Sequence, residues 1–223
     1  PPELVGWTAR ELRTPLEAAR ASLKSLERQV APASATAEAG HLLGIAQQLD
    51  EMEQVIEAMA DASRMAQGQL EVASTRVVLQ EIAREVVSHW RERAPEYRLD
   101  LEAPREEVAV RGDRQRLAQA IGLLVSNAVR HGAPPRHARV EIDATESAAE
   151  LRVRELGPGL TRATDEKLWQ GAMGAPRAAP GVAGTGLGLF LAIELIRLHG
   201  GTLRARSQPG GGTAFTVTLA RAP

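Results

Sequence analysis

The stretch "GTGLGLFLAIELIRLHGG", residues 184–201, constrains the fold of this chain more than any other. Gly184, Gly186 and Gly188 stand at the start of an apolar helical pattern, and the two glycines after His199 predict where that helix ends. Glycines at a helix start let backbone N–H groups approach an anion at the positive end of the helix dipole. Neither the P-loop pattern nor G-x-G-x-x-G occurs in the chain. Two interpretations stay open, a phosphate cradle of another type and a flexible tight connection.

The sequence around this stretch alternates between short β patterns and helical patterns. The β patterns cover 76–79, 98–101, 108–111, 139–144, 151–155, 202–207 and 213–219, and the helical patterns cover 80–93, 113–130 and 187–199. Asp113 follows Gly112 at the start of the second helical pattern, where an N-cap residue is expected. This order predicts an α/β sandwich over residues 68–223, with helices on one face of a mixed sheet.

Two further motifs in this region place polar side chains among apolar ones. "ELGPGL" ends a predicted strand on Glu155 and continues as a turn, so that a carboxylate can face a pocket from a fixed position. "LLVSNAVRHG" places Asn127 where a helix is expected to be buried, and a buried amide must be satisfied. That amide would either cap a neighbouring backbone or bind a cation through its carbonyl oxygen. Arg130 and His131, one turn on, add a cation and a donor suited to phosphate.

The first 67 residues follow a purely helical pattern, which "APASATAEAG" at 31–40 interrupts. Apolar residues recur there in steps of three and four, which predicts two antiparallel helices that meet along a seam. The seam residues are Val5, Leu12, Leu16, Ala19, Leu23, Leu26 and Val30, then Leu42, Ile45, Leu49, Met52, Ile56 and Met59. Leu43, Ala46 and Val55 lie beside the seam and favour pairing with a second copy as a dimeric four-helix bundle. The alternative is a monomeric hairpin covered by the second domain.

Composition excludes several classes of function. The net charge of -1, from 27 basic and 28 acidic residues, gives no global field that would hold nucleic acid or an anionic membrane. The chain has no cysteine and therefore no disulfide or thiolate chemistry. No run approaches the roughly 18 apolar residues that a membrane span needs, and Pro1 opens into a helical pattern without a signal peptide. We therefore expect a soluble fragment of a longer protein, without direct membrane contact.

Five of these motifs together resemble the transmitter core of sensor histidine kinases, within the GHKL ATPase superfamily. "RELRTPL" is similar to the H-box, "LLVSNAVRHG" to the N-box, "ELGPGL" to the D-x-G-x-G box, "KLWQG" to the F-box region and "GTGLGLFLAIELIRLHGG" to the G2 box. They occur in the family's order and spacing, and the resemblance covers essentially the whole chain. It implies an α+β protein, with a dimeric helical bundle followed by an ATP-binding sandwich. It also implies Mg²⁺, a mobile lid over residues 170–183, a cytoplasmic location within a larger sensor protein, and a response regulator or another histidine kinase as partner.

The resemblance also assigns site residues, and three positions depart from the family pattern. The nucleotide site would comprise Asn127, Arg130, His131, Glu155, Gly157, Gly159, Gly184, Thr185, Gly186, Leu187 and Gly188, with Asn127 as the Mg²⁺ ligand. Arg10 stands where the family has its phospho-accepting histidine, and a guanidinium with a pKa above about 12 offers no lone pair. Glu155 replaces the adenine-binding aspartate, which carries the carboxylate outward by about 1.5 Å. Leu123 replaces a polar residue four positions before Asn127.

Glu11 and Thr14 match the E-x-x-T element, which in this family implies dephosphorylation of a response regulator. The Thr14 hydroxyl would place the attacking water, or else it bonds back into its own helical turn. Overall we expect a histidine-kinase-like module that acts mainly by dimerisation and partner binding, with weakened ATP–Mg²⁺ binding and no self-phosphorylation. The alternatives are a kinase core that phosphorylates a partner's histidine in trans, and a response-regulator phosphatase.

Overall fold

The chain divides into two compact units, Pro1–Gln69 and Leu70–Pro223. The structure is a computed structural model that describes residues 19, 21, 61, 64, 70–132, 134–156, 187–207 and 211–222. In the first unit Ala19, a predicted seam residue, is helical and buried, whereas Ala21 is helical and exposed. Asp61 is also buried, and it accepts a hydrogen bond of 2.5 Å from Arg64. The predicted hairpin as a whole lies outside the described residues, so the hairpin, its dimer and the domain boundary after residue 67 stay predictions.

The described part of the second unit mixes helices and strands as the sequence predicted, with most bounds shifted by only a few residues. In chain order the elements are β1 (Thr75–Val78), α1 (Leu79–Arg93), β2 (Arg98–Glu102), β3 (Ala109–Gly112), α2 (Arg114–His131), β4 (His137–Ala144), β5 (Ala148–Glu155), α3 (Leu187–Leu198), β6 (Thr202–Ser207) and β7 (Thr213–Ala220).

These strands form one mixed sheet of five strands and one small sheet of two. The large sheet has the order β2-β4-β5-β7-β6, in which β2 is parallel to β4 and the other pairs are antiparallel. Strands β1 and β3 pair separately and antiparallel. Helix α2 packs against both α1 and α3, while α1 contacts β2 and α3 contacts β6. This arrangement confirms the predicted α+β fold with a mixed sheet and few helices.

The two faces of the large sheet differ in polarity because side chains alternate along each strand. One face is apolar and buried, with Val140, Leu151, Val153, Phe215 and Val217 among its members. The opposite face carries charged residues that pair across the strands. Arg154 Nε lies 3.1 Å from Glu141 Oε2, and Arg152 Nη1 lies 2.8 Å from Asp143 Oδ2. The helices therefore cover the apolar face, and the charged face is solvated.

The start of α2 is capped as the sequence predicted. One carboxylate oxygen of Asp113 accepts hydrogen bonds from the backbone N–H groups of Gln115 and Arg116, at 3.0 and 3.1 Å. Burial alone would raise the pKa of Asp113, but the backbone N–H groups of Arg116, Ala73 and Gln115 outweigh it and hold this pKa below its usual range. The ionised carboxylate thus satisfies N–H groups that the helix itself leaves unpaired.

His199 links the end of α3 to the same cap. Its Nε2 accepts a hydrogen bond of 3.0 Å from the Asp113 N–H, and its Nδ1 lies 2.7 Å from the Leu195 carbonyl oxygen. A carbonyl only accepts, so Nδ1 carries the proton and the ring is a neutral tautomer. Helix α3 ends at Leu198, just before the predicted stop, and Gly200 there has a φ of 69°. Among the helices that the structure describes, none is long and apolar enough to cross a membrane.

Candidate functional site

Glu155 is the last residue of β5, at the strand end where the sequence predicted a fixed carboxylate. It pairs in register with Ala138 of β4 on one side and with Thr213 of β7 on the other. Its side chain lies on the buried face of the sheet, and the residue is only 6% exposed. Between two neighbouring strands and on the buried face, the carboxyl group is largely shielded from water.

Burial dominates the electrostatics of this carboxyl group. It raises the pKa of Glu155 to about 7, and the Thr213 hydroxyl opposes the shift by hydrogen-bonding the carboxyl. Within the described part of the chain, Glu155 Oε2 is buried without any hydrogen-bond partner. A buried polar atom left unpaired costs about 1–3 kcal/mol, and more when it is charged. The atom is therefore suited to a ligand that supplies the missing hydrogen bond.

Tyr97 contacts the end of α2 and lies within electrostatic range of this carboxyl group. It is buried, and its hydroxyl donates a hydrogen bond of 3.0 Å to the carbonyl oxygen of Ala128. Burial raises the pKa of Tyr97 to about 12, the charge of Glu155 adds to the shift, and Arg136 opposes it. Gly132, which caps α2, leaves room for the phenol, because a Cβ there would overlap Tyr97 Oη. The ends of α2 and β5 thus lie close together around one buried tyrosine.

Asn127, Leu123 and Arg130 lie along one flank of α2, at the spacing of successive helical turns. Asn127 and Leu123 are partly exposed and Arg130 is exposed. The expectation of a buried Asn127 amide is therefore wrong, because this flank borders the buried face instead of belonging to it. A Cβ added to Gly188 would lie 3.4 Å from Leu123 Cδ2. The start of α3, where the glycine motif ends, is thus adjacent to the flank that carries Asn127.

Other predicted site residues cannot be located in this way. Arg10, Glu11, Thr14, Gly157, Gly159, Gly184, Thr185 and Gly186 lie outside the described residues, as does the whole predicted lid, 170–183. His131 ends α2 and Leu187 begins α3. Among the residues that the structure describes, no three histidine or acidic side chains gather to hold a metal.

Sequence reasoning missed Thr213 and Tyr97. Thr213 did leave a signal, because it shares the alternating pattern of β7 with the buried residues Phe215, Val217 and Leu219. A hydroxyl on the apolar face of a strand needs a partner, and here that partner is Glu155. Tyr97 left no such signal, since its partner Ala128 contributes only a backbone carbonyl.

Comparison with known proteins agrees with the fold. Residues 112–223 match the family of histidine kinase-, DNA gyrase B- and HSP90-like ATPases, and the chain belongs to this family. It is similar to sensor histidine kinases over nearly its whole length. The sensor histidine kinase MtrB of Mycolicibacterium paratuberculosis is 31% identical over 218 residues, which are 95% of this chain and 38% of MtrB. The sensor protein KdpD of Mycobacterium tuberculosis is 29% identical over 97% of this chain and 26% of KdpD.

Solved structures show the same fold. The histidine kinase AdeS of Acinetobacter baumannii superimposes with a TM-score of 0.68 at 21% identity, over 96% of this chain and 98% of AdeS. The histidine kinase ThkA, solved in complex with the response regulator TrrA, gives a TM-score of 0.69 at 19% identity, over 99% of this chain and 62% of that one. The resemblance to a sensor histidine kinase core is thereby confirmed. The chain spans only about a quarter to two fifths of the length of KdpD and MtrB.

Proposed function

We propose that this chain is a transmitter module of two-component signal transduction that binds an adenine nucleotide with Mg²⁺ and signals mainly by dimerisation and partner binding. The observation that carries the nucleotide site is the buried Glu155 carboxyl, whose Oε2 has no hydrogen-bond partner among the described residues. It lies at the end of β5, on the buried face of the sheet. The amino group of adenine supplies the donor that this atom lacks.

The other roles follow the chemistry of each side chain. Asn127 would hold Mg²⁺ through its amide oxygen, an acceptor that hard cations use. Backbone N–H groups near Gly184, Gly186 and Gly188 would receive the phosphates at the positive end of the α3 dipole. Gly157, Gly159, Thr185 and Leu187 would shape the surrounding turns, and Arg130 and His131 would add charge and a donor near the phosphates.

Two departures weaken this site. Glu155 carries its carboxyl about one C–C bond further out than an aspartate would, about 1.5 Å, whereas binding groups need placement within about 0.5 Å. Leu123 places an apolar side chain next to Gly188, on the same flank as Asn127, and so gives Mg²⁺ no second ligand there. If each departure costs about 1–3 kcal/mol, affinity falls by about 30-fold to 10⁴-fold relative to an intact site.

The signalling role rests on Arg10, which cannot accept a phosphoryl group because its guanidinium has no available lone pair. The partner would be a response regulator, as for ThkA with TrrA, or another histidine kinase. Glu11 and Thr14 keep a second candidate function open, since the E-x-x-T element would support dephosphorylation of a response regulator without a histidine nucleophile. A third candidate is a kinase core that phosphorylates a partner's histidine in trans.

Calorimetric titration with ATP, with and without Mg²⁺, tests the nucleotide site. Glu155→Asp should tighten binding, and adding Leu123→Asn should increase its dependence on Mg²⁺. Gly186→Ala should abolish binding, because a Cβ would intrude between backbone and phosphate. Glu150→Asp is the matched control, since Glu150 lies on the same strand but on the solvated face, where it pairs with Arg152. Tight ATP binding that is indifferent to Glu155→Asp would replace this proposal with the trans-acting kinase.

A further inference from the structure

The surroundings of Glu155 contain nothing in the described part of the chain that compensates a negative charge. On β7 it faces the Thr213 hydroxyl, and in β4 its register partner is the apolar Ala138. The charge of Glu155 acts on Tyr97, whose own pKa of about 12 keeps it neutral. No arginine or lysine that the structure describes forms an ion pair with Glu155, and among the described residues the Thr213 hydroxyl is the only side-chain donor to this carboxyl group.

The charged residues beside it in sequence and register belong to the other face of the sheet. Arg154 pairs with Glu141, His137 pairs with Asp100 at 2.8 Å, and Arg139 pairs with Glu102 at 3.1 Å. Because side chains alternate, these groups are separated from Glu155 by the sheet itself. A carboxylate buried in this way is less stable than the neutral acid unless it gains a cation or several donors.

We propose that Glu155 binds the nucleotide base as a neutral carboxylic acid, so that one proton is taken up together with the nucleotide. This inference rests on the proposed function and specifies the chemistry of its base site. The protonated oxygen donates to a ring nitrogen, and the other oxygen accepts from an adjacent amino group. The Thr213 hydroxyl is then a positioning group that fixes the plane of the carboxyl.

Hydrogen bonding to Glu155 then depends on the donors and acceptors that the base presents along its N1 edge. Adenine presents an acceptor nitrogen, N1, beside its N6 amino donor, which complements a neutral acid in both atoms. Guanine and hypoxanthine present the reversed order, O6 as acceptor beside N1–H as donor, which the acid matches only when its proton moves to the other carboxyl oxygen. An ionised carboxylate would give the opposite preference, because it accepts from both N–H groups of guanine.

The pKa of about 7 supports this assignment in the free protein. At pH values above about 7 the free carboxyl group is mostly ionised, so binding must take up a proton and affinity should fall about tenfold per pH unit. A carboxamide offers the same donor and acceptor without titrating. Glu155→Gln should therefore bind ATP about as well as the wild type does at neutral pH, and it should lose the pH dependence.

The test is calorimetry of ATP binding to the whole chain from about pH 7.5 to 9, a range in which the phosphates of ATP are ionised. Each titration is repeated in two buffers of different ionisation enthalpy, which measures proton uptake directly. We expect uptake of nearly one proton by the wild type at the alkaline end and none by Glu155→Gln. Glu150→Gln, on the solvated face of the same strand, is the control and should behave as the wild type. ATP with its N1 replaced by a C–H group should lose most of its affinity.

Several outcomes would overturn the inference. ATP binding that is flat or stronger at alkaline pH and lost in Glu155→Gln would identify the carboxylate as the binding form, while the nucleotide site itself would stand. Absence of ATP binding by every variant at every pH would overturn both proposals. If Glu155→Gln does not fold, the proton uptake and pH profile of the wild type decide the question alone. Zero proton uptake would then contradict binding by the neutral acid.

Discussion

The stability of the second unit should depend on pH through the buried carboxyl of Glu155. Its pKa is raised from 4.5 to about 7, so the folded state holds a proton between these values that the unfolded state releases. The resulting decrease in the free energy of unfolding is absent below about pH 4.5, grows as pH rises, and reaches its full value above about pH 7. By the usual conversion it reaches at most about 3 kcal/mol.

Glu155→Gln removes this titration. The free energy of unfolding of the variant, minus that of the wild type, should rise between about pH 4.5 and 7 and then level off. Urea unfolding of the whole chain at a series of pH values measures this difference. Glu150→Gln should show no such rise, because Glu150 lies on the solvated face. Parallel pH profiles of wild type and Glu155→Gln would mean that the carboxyl is ionised in the folded chain.

The sequence could predict that Glu155 ends a strand but not what surrounds it. The β pattern stops where "ELGPGL" begins, and that is local information. Burial of the side chain and its contact with Thr213 depend on β5 and β7 being neighbours in register, and these strands are far apart in the chain. The error over Asn127 has a similar origin, since a helical pattern locates a buried face but not its border to within one residue.

At the scale of elements, α2 offers a matched pair of glycines. A Cβ on Gly132 would overlap the Tyr97 hydroxyl and approach the Ala128 carbonyl oxygen to 2.8 Å, whereas a Cβ on Gly122 meets nothing within 4 Å. Gly132→Ala should therefore displace Tyr97 and destabilise the second unit by about 1–3 kcal/mol. Gly122→Ala should stabilise it by up to about 1 kcal/mol, since alanine favours a helix interior. Urea unfolding measures both, and a neutral Gly132→Ala would show that Tyr97 is not fixed there.

Helix and strand positions were largely predictable because local signals agreed with the packing. The Asp113 cap is an example, since aspartate is a preferred N-cap residue directly before an apolar helical pattern. The link from His199 to the Asp113 N–H was not predictable, although the helix end was. Such a link joins two elements at distant positions in the chain, and only the folded sheet brings them together.

For the whole molecule, we expect a homodimer formed through the helices of the first unit. The apolar residues beside the seam, among them Leu43 and Val55, would remain exposed in a single hairpin. Light scattering should give about twice the chain mass of 23.9 kDa. Leu43→Lys with Val55→Lys should yield a monomer, whereas Ala46→Ser should leave the dimer intact. A wild-type mass that stays at the monomer value at every concentration would contradict the four-helix bundle.

Phosphoryl transfer within the whole molecule needs an acceptor, a bound base and a coordinated metal together. By the assignment proposed above, Arg10, Glu155 and Leu123 each alter one of these. We therefore expect no acid-labile label on the wild type after incubation with labelled ATP, because Arg10 has no nucleophilic lone pair. Arg10→His alone should restore little label. Combining it with Glu155→Asp and Leu123→Asn should restore much more, since each departure costs about 1–3 kcal/mol at the ATP site. Arg13→His in the same background is the control, because it adds a histidine outside the acceptor position, and it should stay unlabelled. Acid-labile label on the unmodified chain would show that another residue accepts the phosphoryl group.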